Sequence, residues 1–385
     1  ARFDGALFPA NAWFQGATFS VLSLFGPLVC AGQIDLSGAV FEKPVTMEIA
    51  AREVRCERAR WESTATLRLR CMTVDLSDAV LSSPVAVTAH SAPFTSRSGT
   101  TVDESPLAGT DCGVRVISLR GVDAAQLVLT DTDLTDCRFI GAFHLDRLRL
   151  EGSCTFASPP EGWRWTRRRV LAEEHHWRAS VTTNAPPPPR GWQPAPNQAP
   201  IPDPDEVASV YRGLRKATED AKNEPDAADF YYGEMEMRRH DCDRPWGERA
   251  LLGLYWAVSG YGLRASRALI GLLVTMWLTV VLLILVGLPS QPRVQKTAGT
   301  LTTSGTVSLT TRGAVPSGEA PDQWADRFGW WRAERAARTA VNSVIFRSAG
   351  QGLTVPGTYI EMTSRLVEPV LLALALLAVR GRIKR

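Results

Sequence analysis

The stretch IDLSGAVFEK, Ile34–Lys43, decides the fold of this protein. Its apolar residues Ile34 and Ala39 lie five positions apart, and so do Leu36 and Phe41. A period of five fits neither the 3.6-residue period of an α-helix nor the two-residue period of a β-strand. The sequence therefore requires a structure in which every fifth residue returns to the same side of the chain.

The five-residue period extends far beyond this stretch. When the chain is divided into fives from Ile34, the first and third positions of almost every line are small or apolar, and the positions between them carry most of the charge. The same period is present near the start, in ARFDG ALFPA, and again in the lines that contain Leu119, Leu129, Leu134 and Phe139. The third-position residues from Leu36 onward are Leu36, Phe41, Thr46, Ala51, Cys56, Trp61, Thr66, Cys71, Leu76, Leu81 and Ala86.

A chain that turns a corner after every fifth residue would satisfy this period. Four such sides make one coil, and successive coils must stack because a short repeat cannot bury its own apolar face. The lines AVFEK, VDLSD and TDLTD are the most regular, and the whole pattern resembles the pentapeptide-repeat family. The resemblance covers residues 1–157 and implies a mainly β, right-handed quadrilateral β-helix. A β-sandwich with accidental spacing is the alternative.

Two segments interrupt the period. Residues 20–33 form an apolar interruption, and residues 89–113 are rich in Ser, Thr and Gly. The second segment is predicted to be a loop that leaves the repeat at one corner. Because Ala1 falls within the repeat pattern, we also expect residues upstream of it.

The middle of the chain contains three segments of different composition. Residues 158–184 are basic and aromatic, with Arg167–Arg169 and Trp177, and predict a helix that caps the β-helix; binding of nucleic acid or anionic lipid is the alternative. Residues 185–205 are a proline-rich linker, and residues 206–262 predict an α-helical hairpin and a juxtamembrane helix. The run Glu173–His176 contains metal-ligand types, but adjacent helical residues do not face one site, so no metal is expected.

Two stretches in residues 263–385 predict transmembrane helices. Residues 268–288 contain no charged residue and are long enough to cross a bilayer. Residues 360–379 are apolar except for Glu361, Arg365 and Glu368. Basic residues flank both spans on the side away from the intervening segment 289–359, so the positive-inside rule places both termini in the cytoplasm. We therefore expect a bacterial cell-membrane protein with two spans.

The candidate pore site is predicted at the end of the intervening segment 289–359 and in the second span. An apolar helix followed by a Gly-containing turn before the second span resembles two-span channels with a re-entrant pore loop, although the potassium filter TVGYG is absent. A mid-span carboxylate such as Glu368 must pair with Arg365, be protonated or face water. The predicted pore-lining or subunit-interface residues are Ser348, Gly350, Gln351, Gly352, Glu361, Arg365 and Glu368.

Composition narrows the function only slightly. A net charge of +3 gives no reason to expect a nucleic-acid partner, and seven scattered cysteines without a CxxC pair suit reduced thiols. A GxGxxG loop after a strand, a P-loop and a nucleophile–base set are all missing, so no cofactor is expected. The sequence favours a channel-like homo-oligomer in the lipid bilayer with the β-helix as sensing or interaction domain. A membrane-anchored scaffold that binds a cytoplasmic protein through the β-helix is the alternative. A membrane-associated oxidoreductase, a label that similar proteins sometimes carry, is the remote one.

Overall fold

The computed structural model of the protein describes residues 3–160, 168–182, 191–196, 200–289, 296–301, 307–312, 329–345 and 353–383. The chain divides into two compact units, Ala1–Ala250 and Leu251–Arg385. Short parallel strands build most of the first unit. They are β1 (Ala6–Phe8), β2 (Ala12–Trp13), β3 (Thr18–Phe19), β4 (Leu24–Asp35), β5 (Val40–Phe41), β6 (Val45–Arg55), β7 (Arg60–Trp61), β8 (Ala65–Arg70), β9 (Met72–Asp75), β10 (Val80–Leu81), β11 (Val85–Ala89), β12 (Val114–Ser118), β13 (Leu127–Thr130) and β14 (Arg149–Glu151).

The strand register confirms the coil that the five-residue period predicts. Val45 of β6 pairs with Ala65 of β8, which pairs in turn with Val85 of β11. Each step advances the chain by four lines of the five-residue pattern, which is one coil with four sides. The N-terminal part of the protein is therefore the predicted right-handed quadrilateral β-helix, a parallel solenoid of about 7 turns.

The first and third positions of most five-residue sides are buried, as the pattern requires. On the side that begins at Pro44, and on its counterparts one and two coils later, the second and fourth positions are buried instead. Phe41 and Trp61 are buried, and their rings stack with centroids 5.8 Å apart and an interplanar angle of 8°. Phe19 continues this stack on the other side of Phe41 at 4.8 Å. The third position thus forms columns of side chains that run along the solenoid axis and bind successive coils together.

One corner of the coil uses the left-handed backbone region. Asp78 has a φ of 56° although it is not glycine, and a Cβ on Gly121 in the same column would lie 2.3 Å from Asp78 Oδ1. The fifth position of these lines therefore needs glycine or a residue that tolerates a positive φ. Residues with positive φ in this column are Gly16, Gly38, Arg58, Asp78, Gly121 and Gly141.

The apolar interruption at residues 20–33 does not break the solenoid. It lies mostly in β4. Near the start of β4, Leu24 pairs with Thr46, so the step from one coil to the next is longer than in a regular coil. Near the end of β4, Ile34 pairs with Val54, which is again the regular step. The register shifts between Phe25 and Leu28 and again between Cys30 and Gln33. Two bulges therefore absorb the extra residues, and the strand stays continuous.

The segment 89–113 leaves the coil between β11 and β12, as predicted, but it folds back onto the solenoid. Its Phe94 and Leu107 are buried against Val29, Ala50 and Cys71 on the outside of the coil. Arg70 Nε donates to Glu104 Oε2 at 2.7 Å, and the pair is largely buried. The insertion is thus a packed cover on one side of the solenoid.

Three helices close the carboxyl end of the solenoid: α1 (Ala172–Thr182), α2 (Pro204–Asp220) and α3 (Glu224–His240). Leu171, Tyr211 and Phe230 join the same hydrophobic core as the coils. Glu173 Oε1 accepts hydrogen bonds from the backbone N–H groups of Phe139 and Ile140 at 2.5 and 3.1 Å. The helices therefore cover the apolar interior and bond backbone donors that no further coil pairs.

The second unit contains mainly helices. Helix α4 (Trp246–Ser259) joins the two units, and α5 (Ala265–Leu282) continues as a π-helical turn, Leu283–Gly287. A β-hairpin, β15 (Lys296–Leu301) with β16 (Val307–Arg312), precedes α6 (Trp330–Ile345) and α7 (Val355–Ile383).

Two helices of this unit are long and apolar enough to cross a membrane. They are Ala265–Gly287 and Val355–Val379, with mean hydropathies of 2.9 and 1.8. Only 17% of the residues in the most apolar window of the first and 28% in that of the second are buried, which is unlike core helices of a soluble protein. The helix that contains the second predicted span begins at Val355, before residue 360, and Pro356 lies in its first turn, where proline is tolerated.

Candidate functional site

The candidate site lies where α7 packs on α5. The buried residues of α7 alternate at spacings of three and four, which places them on one face of the helix. This face includes two of the predicted site residues. Its members are Gly357, Glu361, Ser364, Glu368, Leu371, Ala375 and Ala378.

The two helical segments are in close contact at one end of this face. A Cβ on Gly357 would lie 2.4 Å from the carbonyl oxygen of Gly287 and 2.8 Å from its Cα. Only glycine fits there, and small residues at such crossings are typical of membrane helix pairs. This crossing holds the face of α7, and with it Glu368, against α5.

Glu368 is fully buried between the helices. Its Oε1 lies 2.9 Å from the hydroxyl of Thr279 on α5, and its Oε2 has no hydrogen-bond partner among the described residues. No basic side chain in the described part of the chain pairs with this acid. Glu368 is therefore held by a hydroxyl of the other span.

Arg365 takes a different partner from the one considered in the sequence. Its Nη2 donates to Glu361 Oε1 at 2.8 Å, one helical turn earlier. Glu361 is buried, and the Arg365 side chain keeps 27% of its exposure. The three charged residues of the span are thus divided into one ion pair and one isolated acid.

A cleft of about 300 Å³ opens beside Glu368. Its accessible surface is mostly apolar, and its polar members are hydroxyl groups in addition to the acid. The lining residues are Thr275, Leu278, Thr279, Leu282, Tyr359, Ile360, Thr363, Ser364, Val367 and Glu368.

Sequence reasoning missed Arg332, which ties α6 to the end of the first span. Arg332 is 2% exposed and donates to the carbonyl oxygens of Ile284, Leu288 and Pro289 at 3.0, 2.9 and 3.0 Å. These carbonyls end a helix, so they lack helical donors and carry the negative end of its dipole. The spacing of Arg332, Ala336 and Ala340, four residues apart, was the sequence signal for the buried face of α6.

The remaining predicted site residues belong to the turn that was predicted to re-enter the membrane. Ser348, Gly350, Gln351 and Gly352 lie outside the described residues.

A second buried polar cluster lies in the first unit, at the cap. Glu174 is fully buried and binds Arg168, Arg178 Nε at 2.7 Å, and the Tyr211 hydroxyl, which donates at 2.6 Å. Burial alone would raise the pKa of this carboxyl, but the two guanidinium groups outweigh burial and lower the pKa of Glu174 to about 2. The cluster joins α1 to the α2–α3 hairpin. Across the described residues, no group of three His, Cys, Asp or Glu side chains could hold a metal ion.

A polar groove of about 510 Å³ lies beside this cap, between the last coils of the solenoid and α2. It carries charges of both signs, from Asp146 on the solenoid side and from Glu206, Arg212 and Lys216 on α2.

Comparison of the chain with known protein families, with characterised proteins and with solved structures gives no match.

Proposed function

We propose that this protein is a membrane-anchored scaffold of the pentapeptide-repeat type, from a bacterial cell membrane, whose β-solenoid binds a protein partner on the cytoplasmic side. The observation that carries the proposal is the distribution of polarity on the span pair. Both acids of the second span are buried, and the large hydrophobic side chains are exposed on the outward faces of the two helices. The exposed large side chains of the spans are Leu269, Ile270, Leu273, Val274, Trp277, Leu278, Leu282, Val286, Val355, Tyr359, Met362, Leu366, Val367, Val370, Leu376, Leu377 and Val379.

Such faces suit hydrocarbon on all sides. Exposed apolar patches of this extent are rare on monomeric soluble proteins and mark membrane or protein contacts. A span pair that meets lipid all round serves as an anchor, so the surface available for recognition lies in the solenoid and its helical cap.

The mixed-charge groove beside the cap is the surface we assign to the partner. It combines side chains of the solenoid with side chains of α2, so only the folded unit presents it. Its acidic and basic groups favour a partner segment with complementary charges of both signs.

Site-specific photo-cross-linking in intact cells tests the scaffold. A benzophenone amino acid replaces Lys216 in the groove or, as a matched control, exposed Arg60 on the coil. The scaffold predicts one discrete adduct from position 216, weakened by Arg212→Glu, and none of that mass from position 60. Equal adducts from both positions, or none from position 216, would contradict it.

The channel-like homo-oligomer is the second candidate, and the buried acid Glu368 is the observation that favours it. Intramembrane acids are costly and often line ion pathways. Current through planar bilayers containing the purified chain, altered by Glu368→Gln, would establish this candidate instead of the scaffold. The oxidoreductase hypothesis has no supporting side-chain arrangement among the described residues.

A further inference from the structure

The hydrogen bonds around Thr279 decide the charge of Glu368. The Thr279 hydroxyl oxygen lies 2.9 Å from the carbonyl oxygen of Thr275 and 2.9 Å from Glu368 Oε1. A hydroxyl has one proton, and a carbonyl oxygen can only accept. If Glu368 were ionised, it too could only accept, and one of the two short contacts would lack a proton.

A neutral Glu368 satisfies both contacts. Its acid O–H donates to Thr279 Oγ1, and the Thr279 hydroxyl donates to the Thr275 carbonyl, as threonines in membrane helices commonly do. The surroundings agree, since α5 contributes two threonines and two leucines to this cleft and no charge. The nearest charges along α7, Arg365 and Glu361, pair with each other.

This arrangement leaves Glu368 Oε2 as a carbonyl-type acceptor without a partner in the described residues. A buried acceptor of this kind costs free energy until a donor reaches it. The cleft that Glu368 lines has a volume of about 300 Å³, at the lower end of the range for small-molecule sites. Exposed Leu278, Leu282 and Val367 line it as well, so in a bilayer it is open to lipid.

We propose that this cleft binds a small lipid-soluble molecule with a neutral hydroxyl head, which donates a hydrogen bond to Glu368 Oε2 while its apolar chain lies along Leu278 and Leu282. A neutral head fits because the acid is neutral, and an apolar chain fits because the rest of the lining is mostly apolar. The site requires only that the two spans lie in lipid, so it stands whether the chain is a scaffold or a channel.

Labelling of the full-length protein in liposomes with N,N′-dicyclohexylcarbodiimide tests the site. This lipid-soluble reagent adds to protonated carboxyl groups, and mass spectrometry of peptides locates the adduct. We expect labelling at Glu368 and none at Glu361, whose carboxylate is paired with Arg365 on the same helix. Labelling should fall as the pH rises, and a water-soluble carbodiimide should not label Glu368.

Protection by a competitor then tests the ligand class. 1-Decanol carries the donor, and 1-methoxydecane is its matched control without one. At equal membrane concentrations, decanol should slow labelling of Glu368 in a saturable manner, with a half-protecting concentration roughly fivefold lower than that of the ether. Equal protection by the two compounds, no protection, or absence of labelling at Glu368 would each overturn the proposal, and none of these results depends on a variant that must fold.

Discussion

Trp61 is the best place to test whether the inward column holds the solenoid together. The side chain is fully buried in the middle of the coil stack and lies against Phe41 in a parallel ring stack. A buried aromatic removes about 150–250 Å² from water, which at about 25 cal/mol/Å² is worth about 4–6 kcal/mol. Alanine recovers a small part of this and leaves a cavity, so Trp61→Ala should lower the free energy of unfolding by about 3–5 kcal/mol.

Trp61→Phe should cost far less. It keeps a ring in the column, and it removes the buried indole N–H, which has no hydrogen-bond partner among the described residues. The loss of part of the ring and the gain from deleting an unsatisfied donor oppose each other, so we expect a change of about 1–2 kcal/mol or less. The exposed neighbour Arg60 gives the control, because Arg60→Ala should change stability by less than about 0.5 kcal/mol.

Urea unfolding of the full chain in detergent micelles, followed by the β-sheet circular dichroism signal, measures these differences. The β signal reports mainly on the first unit, which contains the solenoid. If Trp61→Ala cost less than about 1 kcal/mol, or if Phe and Ala cost the same, the third position would not be the packed column that we describe.

Three further changes test other parts of the structure. Arg332→Ala removes the donor to three helix-end carbonyls and should lower the thermal stability of the second unit in detergent, whereas Arg338→Ala on the exposed side of α6 should not. Equal effects of the two substitutions would refute the capping role of Arg332. The pKa of Glu174 in the folded protein, about 2, lies below its value in the unfolded chain. The stabilisation that Glu174 contributes is therefore present above pH ~4.5 and is lost as the pH falls towards 2. Glu174→Gln should reduce the dependence of unfolding free energy on pH in this range, and an unchanged dependence would contradict the assignment. Gly357→Ala should force the two helices apart, because the new Cβ would lie 2.4 Å from a backbone oxygen. Gly271→Ala should be tolerated, because its Cβ would meet nothing closer than 3.8 Å. The yield of a disulfide cross-link engineered between the two helices measures the difference.

The five-residue period was sufficient to predict the solenoid. Most sides of each coil repeat the same local demand, an inward first and third residue, and the strand register then follows from stacking similar units. The same holds for the first apolar helix, Ala265–Gly287, whose length and apolar composition make it able to cross a membrane. Both predictions rest on local patterns that recur or extend over many residues.

Sequence patterns did not predict the contacts between segments that are distant along the chain. The apolar interruption is a strand with two bulges, and the insertion at 89–113 packs onto the coil through Phe94 and Leu107. No periodic pattern in the sequence predicts either feature. Each depends on how a coil packs against residues outside its own five-residue sides.

The sequence by itself determined that this chain stacks five-residue sides into a coil and carries two apolar helices, because periodicity and sustained hydrophobicity are properties of single segments. The partners of Glu368 and Arg332 were decided only in three dimensions. Glu368 meets a hydroxyl of the other span, and Arg332 meets carbonyls at the end of that same span, both far away along the chain. A buried polar group needs a hydrogen-bond partner, and for these two residues the partner comes from another packed helix. The geometry of the helix crossing determines which partner is available, and the residues next to the group in sequence do not.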